Sequence, residues 1–308
     1  MILNNILEGI GKTPIIKING VEPENRAEIV AKAEFLGVGG SIKTRTAFNM
    51  ISQAIKKGLI TKDTLIVEPS SGNQGVGLAL VGAVLGLKVV IIMPSSVSAE
   101  RKKLINLYGG KVITIQDRGD IGECIDRCIA KAQEIKVNNE NVYIPNQFDN
   151  VENVNAHYLY TAEEIIEQTQ GKIDGLCLGI GSGGTLSGVG SRLKEINPNL
   201  QIWAVEPMNS AVLSGKKAGT HIQMGIGDGI IPAILNRKII DGIFQIEDKT
   251  AIYYAKILAK KEGIACGISS GSNFAGSLLL AKKLGKGKRV LTVFPDTAER
   301  YFSTALFN

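Results

Sequence analysis

Short runs of β-branched and aliphatic residues alternate with helical patterns along nearly all of the 308 residues. The first half contains the predicted strands EIVAKAEF, TLIVEP, KVVIIMP and KVITI, and the second half contains GLCLGI, QIWAVEP and RVLTVFP. Strands that are apolar throughout indicate parallel sheets covered by helices on both faces. The pattern therefore predicts an α/β fold with two open, twisted, mostly parallel sheets flanked by helices.

The length of the chain predicts two domains, since single domains usually hold roughly 100–200 residues. We place the boundary near residue 145, at the segment YIPNQF. The prediction is one α/β domain over residues 1–145 and a second over residues 146–308. Residues 1–35 are candidates for packing on the second domain.

Charge and cysteine content narrow the class of function. The net charge is +6, and the basic residues are scattered in runs such as AIKKG and ERKKL. Such runs are typical of solvated helix faces, so we expect no nucleic-acid partner. We also expect neither a membrane partner nor a metal site, because the chain shows no signal peptide, no membrane-length apolar run and no metal-ligand spacing. Free buried thiols in a reducing cytoplasm are predicted for Cys124, Cys128, Cys177 and Cys266.

Two loops of the first half place reactive or polar residues at predicted strand-to-helix junctions, where parallel sheets bind ligands. Lys43 follows a glycine turn in GVGGSIKTR, a position that suits a lysine that attacks a carbonyl group or binds a phosphate. A surface lysine at a helix start is the alternative. In EPSSGNQG, hydroxyl, amide and backbone N–H groups form a candidate anion site at a helix N-terminus, or only a polar cap. Its polar side chains are Ser70, Ser71, Asn73 and Gln74.

Two loops of the second half have the same placement. In GIGSGGTLSG, Gly179, Gly181 and Gly184 match a dinucleotide fingerprint, with Glu206 as its acidic residue, so NAD binding is a competing interpretation. The other interpretation is a cradle for one phosphate monoester, formed by Gly181, Ser182, Gly183, Gly184 and Thr185. In CGISSGSN, the hydroxyl of Ser269 either meets a heterocycle or caps a helix.

Together, the four loops in this order resemble the cysteine synthase and cystathionine β-synthase family of pyridoxal-phosphate enzymes. These enzymes have fold type II, similar to the β subunit of tryptophan synthase. The resemblance extends to KTP at 12–14, NQFDNVENVNAHY at 146–158 and FPDTAERYFST at 294–304. It accounts for all four loops, whereas NAD binding accounts for only one. It implies pyridoxal 5′-phosphate as cofactor, a small amino-acid substrate and a homodimer.

The resemblance also implies a role for individual residues. Lys43 is similar to the lysine that joins the cofactor as a Schiff base and then moves the α-proton of the substrate. Asn73 resembles the residue bonded to the cofactor's 3′-oxygen, and Ser269 resembles the partner of its pyridine nitrogen. A hydroxyl partner makes the ring a weaker electron sink and favours loss of a group from Cβ, giving an aminoacrylate. The substrate carboxylate would be held by Ser70, Ser71, Asn73, Gln74 and Gln147, and the phosphate by residues 181–185.

The chain departs from the family pattern at several positions. Gly37 and Val38 stand where Asn-Pro is usual, and Thr44 follows the lysine in place of Asp. Ser70 and Gln74 replace two threonines of the carboxylate clamp. Asp228, in MGIGDGIIPAIL, takes a position that is usually small in cysteine synthases. These changes put the usual substrate pair, O-acetylserine and sulfide, in question.

Asp228 is a carboxylate among glycines and isoleucines, where its desolvation is costly unless the group is used. Sulfide needs no base near neutral pH, whereas a thiol with a pKa of about 8.5 or a water molecule does. We therefore expect Asp228 to be a general base. The predicted reaction expels hydrogen sulfide from L-cysteine and adds water, giving serine, or a second cysteine, giving lanthionine.

Other interpretations remain open. The enzyme could be an ordinary cysteine synthase, have cystathionine β-synthase-like activity, or have become a non-catalytic regulatory protein. Asp228 could instead cap a turn, pair with a surface lysine or attract an incoming amino group.

Overall fold

The computed structural model describes residues 2–21, 26–117 and 121–308, which form two sheets. The strands are Ile15–Lys17 (β1), Glu28–Ala33 (β2), Leu65–Pro69 (β3), Lys88–Pro94 (β4), Lys111–Ile115 (β5), Val142–Tyr143 (β6), Gly175–Gly179 (β7), Gln201–Pro207 (β8), Gly242–Ile246 (β9) and Arg289–Phe294 (β10). The larger sheet has the order β1-β2-β10-β7-β8-β9, and the smaller has the order β5-β4-β3-β6. Neighbouring strands of these sheets pair in parallel except β1, which is antiparallel to β2.

Helices cover both sheets. They are Lys43–Lys56 (α1), Asn73–Leu85 (α2), Ala99–Leu107 (α3), Ile121–Val137 (α4), Val151–Ala156 (α5), Ala162–Thr169 (α6), Gly184–Ile196 (α7), Asp248–Glu262 (α8) and Ile268–Leu284 (α9). A π-helical turn, His157–Thr161, joins α5 to α6. Helices α2 and α9 are buried over most of their length, which explains why their sequences are apolar or small on nearly every side.

The predicted α/β class with two mostly parallel sheets is confirmed. Strands β1, β6 and β9 were not predicted from the sequence, and β1 and β6 are only three and two residues long. Strand β2 pairs with β10 and β1 pairs with β2, so both lie in the larger sheet although they come from the first 35 residues. The domain boundary near residue 145 stays a prediction.

A buried group of four charged side chains fixes the start of α1 against the larger sheet. Arg45 donates from Nε to Glu34 Oε2 at 2.7 Å and from Nη1 to Glu164 Oε1 at 2.6 Å. Lys32 in β2 donates from Nζ to the other oxygen of Glu164 at 2.7 Å. These cations lower the pKa of Glu164 to about 2. Since Arg45 follows Lys43 by two residues, the network also sets the position of that lysine.

All four cysteines are free and buried, as predicted. Across the described ranges, every helix is too short or too polar to cross a membrane.

Candidate functional site

A cavity lies at the carboxyl ends of β3, β7 and β10, beside the first turn of α9. It brings together residues from Ile42 to Pro295, as expected where the carboxyl ends of parallel strands meet. The predicted residues that line it are Lys43, Ser70, Ser71, Asn73, Gln74, Gln147, Gly181, Ser182, Gly183, Thr185, Asp228 and Ser269. Gly184 does not line it and instead begins α7.

Lys43 is the first residue of α1, and its Nζ lies 3.2 Å from Ser182 Oγ on the opposite loop. Burial lowers the pKa of the Lys43 ammonium, while the nearby carboxylates of Asp228 and Glu68 partly oppose that shift. A lowered pKa favours the neutral amine, which is the form that reacts with a carbonyl carbon.

The loop 181–185 is packed so tightly that its backbone leaves no room for side chains at two glycines. A Cβ on Gly181 would collide with the carbonyl oxygen of Gly225, and one on Gly184 would collide with Asn153 Oδ1. Asn153 also donates to Ser182 Oγ at 2.9 Å. The loop ends at the N-terminus of α7, where backbone N–H groups and the helix dipole attract anions. These features fit the phosphate group of the expected cofactor.

A buried histidine contacts the last residue of the loop 181–185. His157 lies in the π-helical turn, with Nε2 3.2 Å from Thr185 Oγ1 and Nδ1 3.0 Å from Thr161 Oγ1. Burial and the positive charges of Lys43 and Arg45 lower the pKa of His157 well below its usual value. The neutral ring therefore links the two threonines, a contact that sequence analysis did not predict.

The loop 70–74 instead keeps one buried side-chain donor unpaired among the described residues. Ser70 Oγ accepts backbone N–H groups from Gly72 and Gly75, both at 3.2 Å. Gln74 Oε1 accepts from Thr46, but Gln74 Nε2 is buried with no hydrogen-bond partner within the described ranges. An unpaired buried donor is costly, and it fits an incoming carboxylate.

Glu68, at the end of β3, positions the neighbouring segment that carries Gln147. Its two carboxylate oxygens accept the backbone N–H groups of Asn146 at 2.8 Å and Gln147 at 3.0 Å. Burial raises the pKa of Glu68 to about 7, although those N–H groups and Lys43 oppose the rise. Sequence analysis did not single out this carboxyl group, since a strand-end glutamate has no distinctive pattern.

Asn73 is held by residues near the C-terminus. Its Nδ2 donates to Asp296 Oδ2 and its Oδ1 accepts from Arg300 Nη1, both at 2.6 Å. The hydroxyl of Tyr301 donates to the same oxygen of Asp296 at 2.7 Å. The segment FPDTAERYFST therefore fixes the orientation of the Asn73 amide, while a bond from Asn73 to the cofactor stays a prediction.

Asp228 lies in the same cavity as Lys43. In the described parts of the chain its carboxylate accepts no hydrogen bond and forms no ion pair, so the structure shows neither a turn cap nor a surface-lysine partner for it. Burial raises the pKa of Asp228, and the charge of Lys43 partly opposes the rise. The carboxylate is therefore a stronger base than an ordinary aspartate and faces the cavity.

One basic run was assigned wrongly. The segment ERKKL was predicted to be a solvated helix face, and Lys103 is exposed, but Arg101 is only 1% exposed. The guanidinium of Arg101 packs 4.8 Å from the ring centroid of Tyr301 and donates to Ser98 Oγ at 3.1 Å. Aromatic stacking and hydrogen bonding stabilise this buried position.

The structure also removes the acidic partner of the NAD interpretation. The carboxylate of Glu206 accepts the backbone N–H groups of Leu213 at 2.9 Å and Ser214 at 3.1 Å. The carboxylate therefore stabilises a turn of the protein itself. In a dinucleotide site it would instead bind a ribose hydroxyl.

Comparison with known proteins identifies the family. The family model described as pyridoxal-phosphate dependent enzyme matches residues 6–296. The cysteine synthase of Staphylococcus aureus is 43% identical over 307 residues, covering 99% of this chain and 97% of that protein. This chain belongs to the cysteine synthase family of pyridoxal-phosphate dependent enzymes. The expected family and cofactor are thereby confirmed.

Solved structures of this family share the fold over nearly the full length. A hydrogen sulfide-producing enzyme from Fusobacterium nucleatum is 40% identical with a TM-score of 0.92, covering 97% of this chain and 100% of that chain. An O-acetylserine dependent cystathionine β-synthase from Helicobacter pylori is 36% identical with a TM-score of 0.94, covering 100% of both chains. A further hydrogen sulfide-producing enzyme, an Asp-to-Asn mutant in complex with an α-aminoacrylate intermediate, is 38% identical with a TM-score of 0.91, covering 98% of this chain and 90% of that chain.

Proposed function

We propose that this enzyme releases hydrogen sulfide from L-cysteine and adds a nucleophile at the same carbon. Water as the nucleophile gives L-serine and hydrogen sulfide, whereas a second L-cysteine gives lanthionine and hydrogen sulfide. The observation that carries the proposal is the carboxylate of Asp228, which has no partner among the described residues and lies in the cavity that holds Lys43. Bound pyridoxal phosphate supplies the electron sink for chemistry at Cα and Cβ.

Substrate orientation comes from the loop 70–74. Its N–H and hydroxyl groups, together with the unpaired Gln74 Nε2, take the α-carboxylate, and Gln147 lines the same cavity. With the α-carboxylate held there, we expect Cα to lie near Nζ of Lys43, which lines the same cavity. Lys43 accepts the α-proton, and hydrosulfide leaves Cβ with the electron pair of the carbon–sulfur bond.

Asp228 acts on the incoming group. Its carboxylate takes the proton from a water or thiol as the oxygen or sulfur forms its bond to Cβ, and the proton on Lys43 returns to Cα. Because its pKa is raised by burial, Asp228 is better matched to this proton transfer than an exposed aspartate. The same negative charge repels hydrosulfide, which disfavours the reverse reaction.

The relatives support both this proposal and its alternative. Two solved relatives are described as hydrogen sulfide-producing enzymes, and one of them is an Asp-to-Asn mutant in complex with an α-aminoacrylate intermediate. That complex is what we expect where a carboxylate is needed to complete the reaction. The cysteine synthase of S. aureus favours the alternative, synthesis of cysteine from O-acetylserine and sulfide. The homodimer and the cytoplasmic location stay predictions.

The test compares the two reactions on the holoenzyme. We expect fast sulfide release from L-cysteine alone, with serine or lanthionine identified by mass spectrometry, and slow cysteine formation from O-acetylserine and sulfide. Lys43→Ala is the control, because it retains Asp228 but removes the amine, and both activities should vanish. Negligible sulfide release beside brisk cysteine synthesis would overturn the proposal.

A further inference from the structure

A second, outer cavity of about 390 Å³ adjoins the candidate site. The two cavities share Ser71, Met224, Gly225, Ile226 and Asp228. The outer walls are largely apolar, from Val97, Ile125 and Ile222, with Asp117 at one side. Its volume lies within the range of small-molecule sites, which is roughly 300–1,000 Å³. Water or hydrosulfide needs no cavity of this size, so its dimensions point to a larger nucleophile.

Arg101 lines the inner cavity and contacts the wall between the two. Its Nη1 donates to Met224 Sδ at 2.9 Å, and a thioether is a weak acceptor. Its Nε is buried without a hydrogen-bond partner, and no carboxylate of the described residues forms an ion pair with it. A buried guanidinium with no carboxylate partner is suited to bind the carboxylate of a ligand, since arginine binds carboxylates through two parallel hydrogen bonds.

Two anions of the reaction already have sites. The loop 181–185 fits the phosphate, and the loop 70–74 with Gln147 fits the carboxylate of the amino acid that loses sulfide. Arg101 is left for a third anion. Since Met224 is unbranched and flexible, its thioether can move away from Arg101 at small cost.

We propose that the outer cavity binds a second α-amino-acid thiol, whose carboxylate replaces Met224 Sδ at Arg101. This inference rests on the proposed function and selects the thiol, instead of water, as the nucleophile. The ammonium group lies towards Asp117, and the thiol reaches Asp228 where the two cavities meet. The thiol proton passes to Asp228, and the sulfur bonds to the donor Cβ that hydrosulfide has left. The products are a thioether diamino acid and hydrogen sulfide.

The experiment uses different molecules for the two substrates, a donor that loses a group from Cβ and an acceptor thiol that replaces that group. β-Chloro-L-alanine serves as a common donor, because its leaving group is chloride, and the acceptor thiol is varied. L-Cysteine is compared with cysteamine, which lacks the carboxylate, and 3-mercaptopropionate, which lacks the amine. For the wild-type holoenzyme we expect the KM of cysteamine to exceed that of L-cysteine by about 10-fold or more, the size of a lost charged hydrogen bond.

Substitution of Arg101 tests the same contact from the protein side. In Arg101→Gln the acceptor KM for L-cysteine should rise by about 10-fold or more, while the KM for cysteamine stays the same. Lys103→Gln is the matched control, since it removes one positive charge from an exposed position of the same helix. It should leave both constants unchanged.

Three results would overturn the inference. Equal KM values for L-cysteine and cysteamine in the wild type would do so without any variant, even if Arg101→Gln failed to fold. A rise in the donor KM alone would assign Arg101 to the first substrate. Serine as the sole product at saturating L-cysteine would assign the nucleophile to water. Because the donor is β-chloroalanine, these outcomes are independent of whether L-cysteine itself loses sulfide.

Discussion

The two candidate anion-binding loops of the cavity follow the same strand-to-helix plan but differ in whether their own side chains are already paired. Each follows a parallel strand and opens a helix: residues 70–74 lead from β3 into α2, and residues 181–185 lead from β7 into α7. In the second loop, the backbone at Gly184 packs directly on Asn153, which also holds Ser182. In the first, Gln74 retains a buried donor without a partner among the described residues.

This difference fits the ligands that we expect at the two loops, a cofactor that stays bound and a substrate that comes and goes. The hydroxyls of Ser182 and Thr185 already have hydrogen-bond partners within the protein, so their loop is preorganised for a cofactor that we expect to stay bound. A loop with an unsatisfied donor gains its last hydrogen bond only when a substrate arrives, and loses it again on release. The comparison predicts that substitutions in the two loops separate cofactor affinity from substrate KM.

The largest expected effect is a loss of cofactor affinity on substitution in the loop 181–185. In Gly184→Ala the new Cβ collides with Asn153, and overpacking of this kind costs about 1–3 kcal/mol. We expect pyridoxal phosphate to bind about 5- to 150-fold more weakly, measured by titration of the apoenzyme at the cofactor's visible band. The control is Gly72→Ala in the other loop, where the new Cβ lies 3.5 Å from Arg101 Nε, an ordinary contact. Equal losses in both variants would contradict the comparison.

A matched pair of serines gives a smaller effect. Ser70→Ala removes the acceptor of two backbone N–H groups. At about 1 kcal/mol per hydrogen bond, the KM for L-cysteine should rise about 5- to 30-fold. Ser182→Ala should instead weaken cofactor binding by a similar factor, because Ser182 Oγ lies between Asn153 and Lys43. Steady-state kinetics give the KM for L-cysteine of each variant, and cofactor titration gives the affinity of each for pyridoxal phosphate. If the two variants changed the KM for L-cysteine and the cofactor affinity equally, the two loops would not have separate ligands.

The smallest expected effect is a pH dependence of substrate binding through Glu68, which lies at the end of β3 beside the loop 70–74. Above about pH 7 the Glu68 carboxylate accepts both N–H groups of residues 146 and 147, and below it protonation weakens one of them. The KM for L-cysteine should therefore rise a few-fold as the pH falls from 8 to 6, while cofactor affinity stays constant. Glu68→Gln should flatten the KM profile. A profile that persists in that variant would assign the titration to another group.

Local pattern was enough to predict the strand–loop–helix units and the residues at their junctions. Lys43, Ser70 and Ser182 fall in one cavity because parallel strands present their carboxyl ends to the same edge. Contacts between distant segments were not predictable in this way. Asn73 meets Asp296 across 223 residues, and no periodicity relates the two positions. The burial of Arg101 was not predictable either, because the sequence ERKKL is the same whether one of its basic residues is buried or all of them are solvated.

The central claim is that Asp228 activates the nucleophile after sulfide has left. Rapid mixing of Asp228→Asn holoenzyme with L-cysteine, followed by sulfide detection, tests it most directly. We predict a first burst of one sulfide per active site near the wild-type rate, then turnover slower by about 100-fold or more, the usual contribution of a general base. The cofactor's visible band should be present before mixing. Loss of the burst itself, or unchanged steady turnover, would contradict the account.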